Sequence, residues 1–286
     1  MAKTNRKYKD RLFRLIFGNE KNKKNTLSLY NVLNNSSYEN EEDLELTTIE
    51  DVLYIQMKND LSFIIADTMN LYEQQSSHNP NMPLRGLMYF GNLYEKYLKS
   101  NGLSLHVKTQ VKIPTPNYIV LYNGTENRPA TEKLYLSSAF QTPDERNEFE
   151  WTATVINLNH PDNQSLLKRC KPLHDYTFLV RKIQMYKETM PMKEAVDKAV
   201  TDCIAADVLA EFLTAHRAEV LHVYLAEVDE DVLRKRLNEE GREDLLSEQI
   251  TKKLKAGKSL EQIAAEVEET PEAILPLYER IKAELQ

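Results

Sequence analysis

The chain has 286 residues, a formal net charge of −7, an apolar fraction of 41% and a charged fraction of 28%. These values are typical of a globular protein with one large domain or two smaller ones. No apolar run approaches the roughly 20 residues of a membrane helix, and the basic N-terminus lacks the apolar stretch of a secretory signal. We therefore expect a soluble, cytoplasmic protein with no membrane partner.

The cysteines and glycines argue against further classes of protein. Two cysteines, Cys170 and Cys203, predict neither a disulfide framework nor a cysteine-based zinc site, and buried thiols in a reducing compartment are expected. Only seven glycines are present, and none forms a phosphate-binding loop of the Walker or Rossmann type. The sequence therefore predicts no nucleotide cofactor.

Charge is distributed unevenly along the chain. Residues 1–24 hold nine Lys and Arg against only Asp10 and Glu20, so the remainder of the chain is acidic. A basic N-terminal arm predicts local contact with phosphates. Charge alone nevertheless favours the alternative, a solvated helix face.

The first elements along the chain are helical. Tyr8–Phe17 carries a broad apolar stripe and is followed by Gly18, which is typical of an amphipathic helix and its end. Asn25–Leu33 predicts a second short helix, and the acidic residues 39–45 predict a loop. The next segment, residues 47–57, is compatible with either a short helix or a strand.

Two short apolar runs then predict a β-hairpin. Leu61–Ile65 and Met69–Tyr72 are each too short for a helix, and Ala66–Thr68 supplies the turn between them. The residues that flank the two strands should therefore face each other across the open end of the hairpin.

Three polar side chains flank that open end. Asp60 precedes the first strand, and Glu73 and Gln75 end the second. Because residues two apart on a strand share a face, Glu73 and Gln75 point the same way. Two carboxylates and an amide oxygen are ligands that hydrated Mg²⁺ prefers, so the spacing predicts a metal site. Ordinary turn chemistry at strand ends is the alternative.

The middle of the chain predicts one more helix and the rest of a sheet. After a turn-rich linker, Pro83 suits the first turn of a helix over Leu84–Lys99. Three further strands are predicted at Tyr118–Tyr122, Lys133–Leu136 and Phe149–Leu158. Together with the hairpin they give a fold of the α/β class, a mixed sheet of about five strands flanked by helices.

From Pro172 onward the pattern is helical. At the end of the chain, Ser259 and Gln262 have the spacing of a capping box, and Pro271 begins a last helix. The two helices resemble a helix-turn-helix. The last helix is nearly neutral, which favours a packing or dimer element over a reader of the DNA groove.

Several short motifs together resemble a known family. The motifs that carry the resemblance are Tyr8-Lys9-Asp10 with Phe13 and Phe17, Asn59-Asp60, Tyr72–Ser76, Asn79–Arg85, Tyr122-Asn123-Gly124 and Leu136–Phe140. Through these motifs the sequence is similar to the recombination-promoting nuclease and putative transposase family of the PD-(D/E)XK nuclease superfamily, over roughly residues 8–160.

The resemblance implies a fold and a chemistry. It implies a restriction-endonuclease-like core over residues 1–170, followed by a helical region over residues 171–286. It also implies an endonuclease that hydrolyses DNA with Mg²⁺ held by Asp60 and Glu73, in recombination or transposition, with Mn²⁺ or Ca²⁺ as substitutes in vitro. Gln75 takes the position of the superfamily's lysine. Asp10 is the candidate outer acid on the first helix, and the alternative is an acid near the helix start that balances the helix dipole.

Two further residues are candidate substrate contacts. Arg85, in the first turn of the predicted helix after the hairpin, could reach a DNA phosphate or simply brace the acidic pair. His78 lies in the flexible turn just beyond Gln75, where an incidental loop histidine is the alternative. The alternative function is a catalytically weak nuclease-fold protein that binds DNA or protein. A homodimer is a possible partner arrangement, because paired cuts by a single site require two copies.

Overall fold

The computed structural model describes residues 7–47, 60–143, 145–146, 148–221, 246–247, 249–255, 258–267 and 269–284. Backbone contacts divide the chain into two compact units, Met1–Leu225 and Ala226–Gln286. The predicted domain boundary after residue 170 stays a prediction. The helices within residues 171–215 belong to the first unit, according to their backbone contacts. The helix or strand predicted over residues 47–57 lies outside the described residues, apart from Thr47.

The first unit contains a mixed six-stranded sheet in the order β1-β2-β3-β4-β6-β5. The three parallel neighbours are β3, β4 and β6, and the remaining pairs are antiparallel. The predicted α/β class is confirmed. The strands are β1 (Glu45–Leu46), β2 (Leu61–Ile65), β3 (Thr68–Gln75), β4 (Thr115–Tyr122), β5 (Thr131–Tyr135) and β6 (Thr152–Asn157).

Two details of the sheet differ from the sequence prediction. The acidic segment 39–45, predicted as a loop, includes a short 3-10 turn and enters β1, which adds the sixth strand. The second hairpin strand begins at Thr68, which was predicted to lie in the turn, and it ends at Gln75 as predicted. Strand β4 runs parallel to it and pairs with it along its whole length.

Helices cover both faces of the sheet. One apolar cluster joins the first, second and fifth helices to one face, and a second cluster joins the third helix to the other. The helices of this unit are α1 (Lys7–Phe17), α2 (Lys23–Asn34), α3 (Met82–Ser100), α4 (Gln164–Arg169), α5 (Lys171–Lys187), α6 (Met192–Ala205) and α7 (Ala210–Ala215).

Strand β3 is the centre of this arrangement because both of its faces are covered. Met69 and Leu71 pack into the α3 cluster, whereas Tyr72 packs into the cluster on the opposite side. Side chains alternate between the two faces of a strand. Glu73 and Gln75 therefore share the α3 side, and Gln74 faces the α1 side.

The second unit is helical in its described part. Its helices α8 (Leu260–Glu266) and α9 (Pro271–Glu284) enclose a small apolar cluster that includes Ile263 and Ile274. The predicted capping box is confirmed, since the Ser259 and Gln262 side chains each accept the other residue's main-chain N–H. None of the described helices in either unit is long and apolar enough to cross a membrane.

Candidate active site

The hairpin brings Asp60 and Glu73 into direct contact. The main-chain N–H of Asp60 donates to Glu73 Oε1 at 3.1 Å, and the N–H of Gln74 donates to Asp60 Oδ2 at 2.8 Å. Leu61 pairs with Tyr72 in the antiparallel register. That register is the reason that the residues just outside the two strands meet, as the sequence predicts.

Both carboxylates are withdrawn from water. Asp60 is 7% exposed and Glu73 is 1% exposed. Burial raises the pKa of Asp60 to about 6, against the opposing effects of the Gln74 N–H and the Arg14 and Arg85 charges. Burial, and then the neighbouring Asp60, raise the pKa of Glu73 well above its usual range. Two neighbouring buried carboxyl groups that repel each other electrostatically cannot both ionise without cost, so the pair favours a bound cation.

Arg85 supplies one such positive charge. Its Nη2 lies 3.1 Å from Glu73 Oε2 and 3.1 Å from the Tyr89 hydroxyl. The guanidinium also lies over the Tyr89 ring, 5.7 Å from the ring centroid. Of the two alternatives drawn from the sequence, bracing of the acidic pair is the arrangement that the structure shows. Contact of Arg85 with a DNA phosphate stays a prediction.

Arg14 is a second cation near the pair, and its position was not predicted from the sequence. Its positive charge opposes the rise that burial causes in the pKa of both Asp60 and Glu73. The end of α1 lies against the start of the hairpin. A Cβ on Gly18, just after this helix, would be 3.6 Å from the Asp60 carbonyl oxygen. No local sequence pattern indicates this position of Arg14, because it depends on how α1 packs against the hairpin.

Asp10, the predicted outer acid, lies half-buried on α1. Within the described ranges no three His, Cys, Asp or Glu side chains are arranged to hold a metal ion. The structure therefore does not bring Asp10 into one ligand set with Asp60 and Glu73. A role for Asp10 stays a prediction.

Gln75 and His78 lie together in a narrow cleft on the α3 side of the sheet, beside Tyr122 and Arg128. Both residues are half-buried. Among the hydrogen bonds of the described residues, none joins the Gln75 amide to either carboxylate. Asp60 and Glu73 therefore meet as the sequence predicts. Gln75 is on the same face of β3 as Glu73, two residues further along the strand.

The donor set suits a hard, hydrated cation. Mg²⁺ is commonly held by one or two carboxylates while it keeps several water ligands. Asp60 and Glu73 provide these two carboxylates, and their burial makes neutralisation by a cation favourable. The Arg85 guanidinium competes for the same Glu73 oxygen. The residues present therefore fit Mg²⁺, provided that Arg85 yields Glu73 Oε2 or that the cation uses the remaining oxygens.

Replacement of Arg85 by Met is expected to lower the free energy of unfolding by about 2 kcal/mol. A fully buried charge left without its partner costs about 3–5 kcal/mol, and the partial exposure of Arg85 reduces that cost. Urea unfolding at pH 7 measures the change. The matched control is Arg128→Met, because Arg128 pairs with the partly exposed Glu132, and a loss of about 1 kcal/mol or less is expected there. Equal losses in the two variants would contradict the buried-pair explanation.

Comparison with known proteins finds no match for this chain among protein-family models, curated proteins or solved structures.

Proposed function

We propose that this protein is a Mg²⁺-dependent DNA endonuclease of the PD-(D/E)XK type, active in recombination or transposition. The observation that carries the proposal is the buried contact between Asp60 and Glu73 at the open end of the hairpin. This contact lies where the parallel strands β3 and β4 end, and ligands of open α/β sheets bind at the carboxyl ends of their strands. The resemblance at the flanking motifs supports the same chemistry.

The residues have distinct roles in this proposal. Bound Mg²⁺ lowers the pKa of a water molecule and neutralises charge on the phosphate. Asp60 and Glu73 hold the ion, and burial keeps competing water away from their oxygens. Gln75 has no basic group, so it positions a water molecule by hydrogen bonding and does not accept its proton. Arg14 and Arg85 offset the negative charge of the carboxyl pair when the ion is not bound.

A second function is favoured by the contact of Arg85 with Glu73. In this alternative the chain is a catalytically weak nuclease-fold protein that binds DNA or another protein. The Arg85 guanidinium already neutralises Glu73, and Gln75 replaces a basic residue. The net charge of −7 also argues against broad affinity for DNA outside the N-terminal arm.

A plasmid-nicking assay separates the two functions. Supercoiled plasmid is incubated with the full chain in Mg²⁺, Mn²⁺ or EDTA, and the open-circular product is quantified over time. The proposed nuclease gives nicking in Mg²⁺ or Mn²⁺ and none in EDTA. Binding of the plasmid without nicking in either metal would contradict the proposed function and support the binding module.

Linear product separates single from paired cuts. Direct appearance of linear plasmid, with a rate that rises more steeply than the protein concentration, is expected for a homodimer with one site in each copy.

A further inference from the structure

Four polar side chains meet beneath the first turns of α3. They are Glu73 on β3, Arg85 and Tyr89 on the helix, and Tyr118 on β4. Gly86 allows the close approach, because a Cβ on this glycine would lie only 2.3 Å from Cε1 of the Tyr118 ring. The Tyr118 ring therefore lies directly under the residue that follows Arg85.

The Tyr118 hydroxyl is buried and has no hydrogen-bond partner within the described part of the chain. Tyr118 is 6% exposed, and its hydroxyl lies within electrostatic range of Arg85 and Glu73. Buried hydroxyl groups are nearly always paired, since an unpaired one loses its water without compensation. A buried, unpaired hydroxyl within electrostatic range of a guanidinium is available to it as a second acceptor.

Arg85 has the donor capacity for such an arrangement. Its Nη2 serves both Glu73 and Tyr89. Among the described residues its Nη1 donates only to the Met82 sulfur, at 3.6 Å, and a thioether is a weak acceptor. The hydrogen bond to Tyr89 does not depend on Glu73, so it can hold the guanidinium near Tyr118 after Glu73 is released.

We propose that Arg85 is an internal counter-ion that leaves Glu73 for the Tyr118 hydroxyl when a divalent cation binds the carboxyl pair. Tyr118 and Tyr89 are then positioning residues for the site, since they act through Arg85 and do not touch the metal. The identity of the cation rests on the proposed function. The exchange of Arg85 between two acceptors does not, because any loss of the Glu73 carboxylate should produce it.

The first measurement is calorimetric titration of Mg²⁺ into the full chain. In Tyr118→Phe the released guanidinium lacks its second acceptor, so the dissociation constant for Mg²⁺ is expected to rise about tenfold, the value of one hydrogen bond. The matched control is Tyr94→Phe on α3, which should leave the Mg²⁺ affinity unchanged, because the Tyr94 hydroxyl donates to the Pro114 carbonyl 2.8 Å away. Equal Mg²⁺ affinity in wild type and Tyr118→Phe would overturn the proposal.

The second measurement needs no metal. Melting temperatures in EDTA are compared for wild type, Tyr118→Phe, Glu73→Ala and the double variant. Tyr118→Phe alone is expected to leave the melting temperature unchanged or raise it, because it removes an unpaired hydroxyl. In the Glu73→Ala background, Tyr118→Phe is expected to lower the melting temperature by about 2–4 °C, because Arg85 then uses the Tyr118 hydroxyl as an acceptor.

The two measurements distinguish the inference from the proposed function. Wild type that binds no Mg²⁺ but shows the expected coupling between the two positions supports the exchange of Arg85 and contradicts the metal site. An identical effect of Tyr118→Phe in both backgrounds overturns the exchange, whatever the wild-type Mg²⁺ affinity. If Glu73→Ala does not fold, Glu73→Gln in the same cycle gives the same comparison, because the amide carries no charge to hold the guanidinium.

Discussion

Replacement of Asp60 by Asn is expected to reduce Mg²⁺-dependent nicking by more than about 100-fold, because even partners of metal ligands outside the coordination sphere are worth about 10–100-fold. Asn keeps the shape of the side chain and an oxygen that can accept the Gln74 N–H, but it removes the negative charge that the metal requires. The initial rate of nicking measures the loss. Glu42→Gln is the matched control, because Glu42 is exposed on a turn before β1, and it should nick at the wild-type rate.

The same substitution should change how stability depends on pH. Burial raises the pKa of Asp60 in the folded state to about 6 from its ordinary value of 3.8. The folded state therefore binds the proton more tightly than the unfolded state. The stability that Asp60 contributes through this tighter proton binding is fully present below about pH 4 and is lost as the pH rises through about 6. The loss is about 3 kcal/mol by pH 8.

Glu73 acts in the same direction, since its pKa is also raised. Urea unfolding at pH 5 and pH 8 is therefore expected to show that wild type loses more stability over this interval than Asp60→Asn. Asp60→Asn should also be the more stable of the two at pH 8. A wild type as stable at pH 8 as at pH 5 would contradict the inference that burial raises the pKa of both carboxyl groups. Nicking by Asp60→Asn at the wild-type rate would contradict the assignment of Asp60 to the metal.

The contact between Asp60 and Glu73 could be predicted because it is local. It depends on two short apolar runs, a turn and the alternation of side chains, all within sixteen residues, from Asp60 to Gln75. Gln75 was placed on the correct face, but sharing a face does not mean sharing a position. Residues two apart on a strand are about 6–7 Å apart, so Gln75 lies along the strand from the carboxyl pair.

Features that depend on distant parts of the chain could not be predicted in the same way. Arg14 lies on α1, and its position beside Asp60 depends on how that helix packs against the hairpin. The pairing of Arg85 with Glu73 depends on the approach of α3 to the sheet. Strand β1 has only two residues, which is too short for any hydrophobic period to be detected. Each of these features is fixed by tertiary packing, for which a single sequence carries no local pattern.

The approach of α3 to the sheet leads to the second large effect, which concerns Gly86. Replacement of Gly86 by Ala is expected to lower the free energy of unfolding by about 1–3 kcal/mol, the usual cost of overpacking a core. The new Cβ would lie 2.3 Å from Cε1 of the Tyr118 ring and 3.1 Å from Trp151 Nε1. Neither ring can move easily, because Phe90 packs edge-to-face against both.

Gly91, on the same helix, provides the matched control. A Cβ on Gly91 would have no heavy atom within 4 Å. Gly91→Ala should therefore raise stability by about 0.5–1 kcal/mol, because alanine restricts the unfolded chain and favours the helix. The two substitutions are chemically identical and are expected to have opposite signs in urea unfolding. A gain of stability in Gly86→Ala would show that α3 does not rest on Tyr118, and the positions of Arg85 and Tyr89 beside Glu73 would then lack their structural basis.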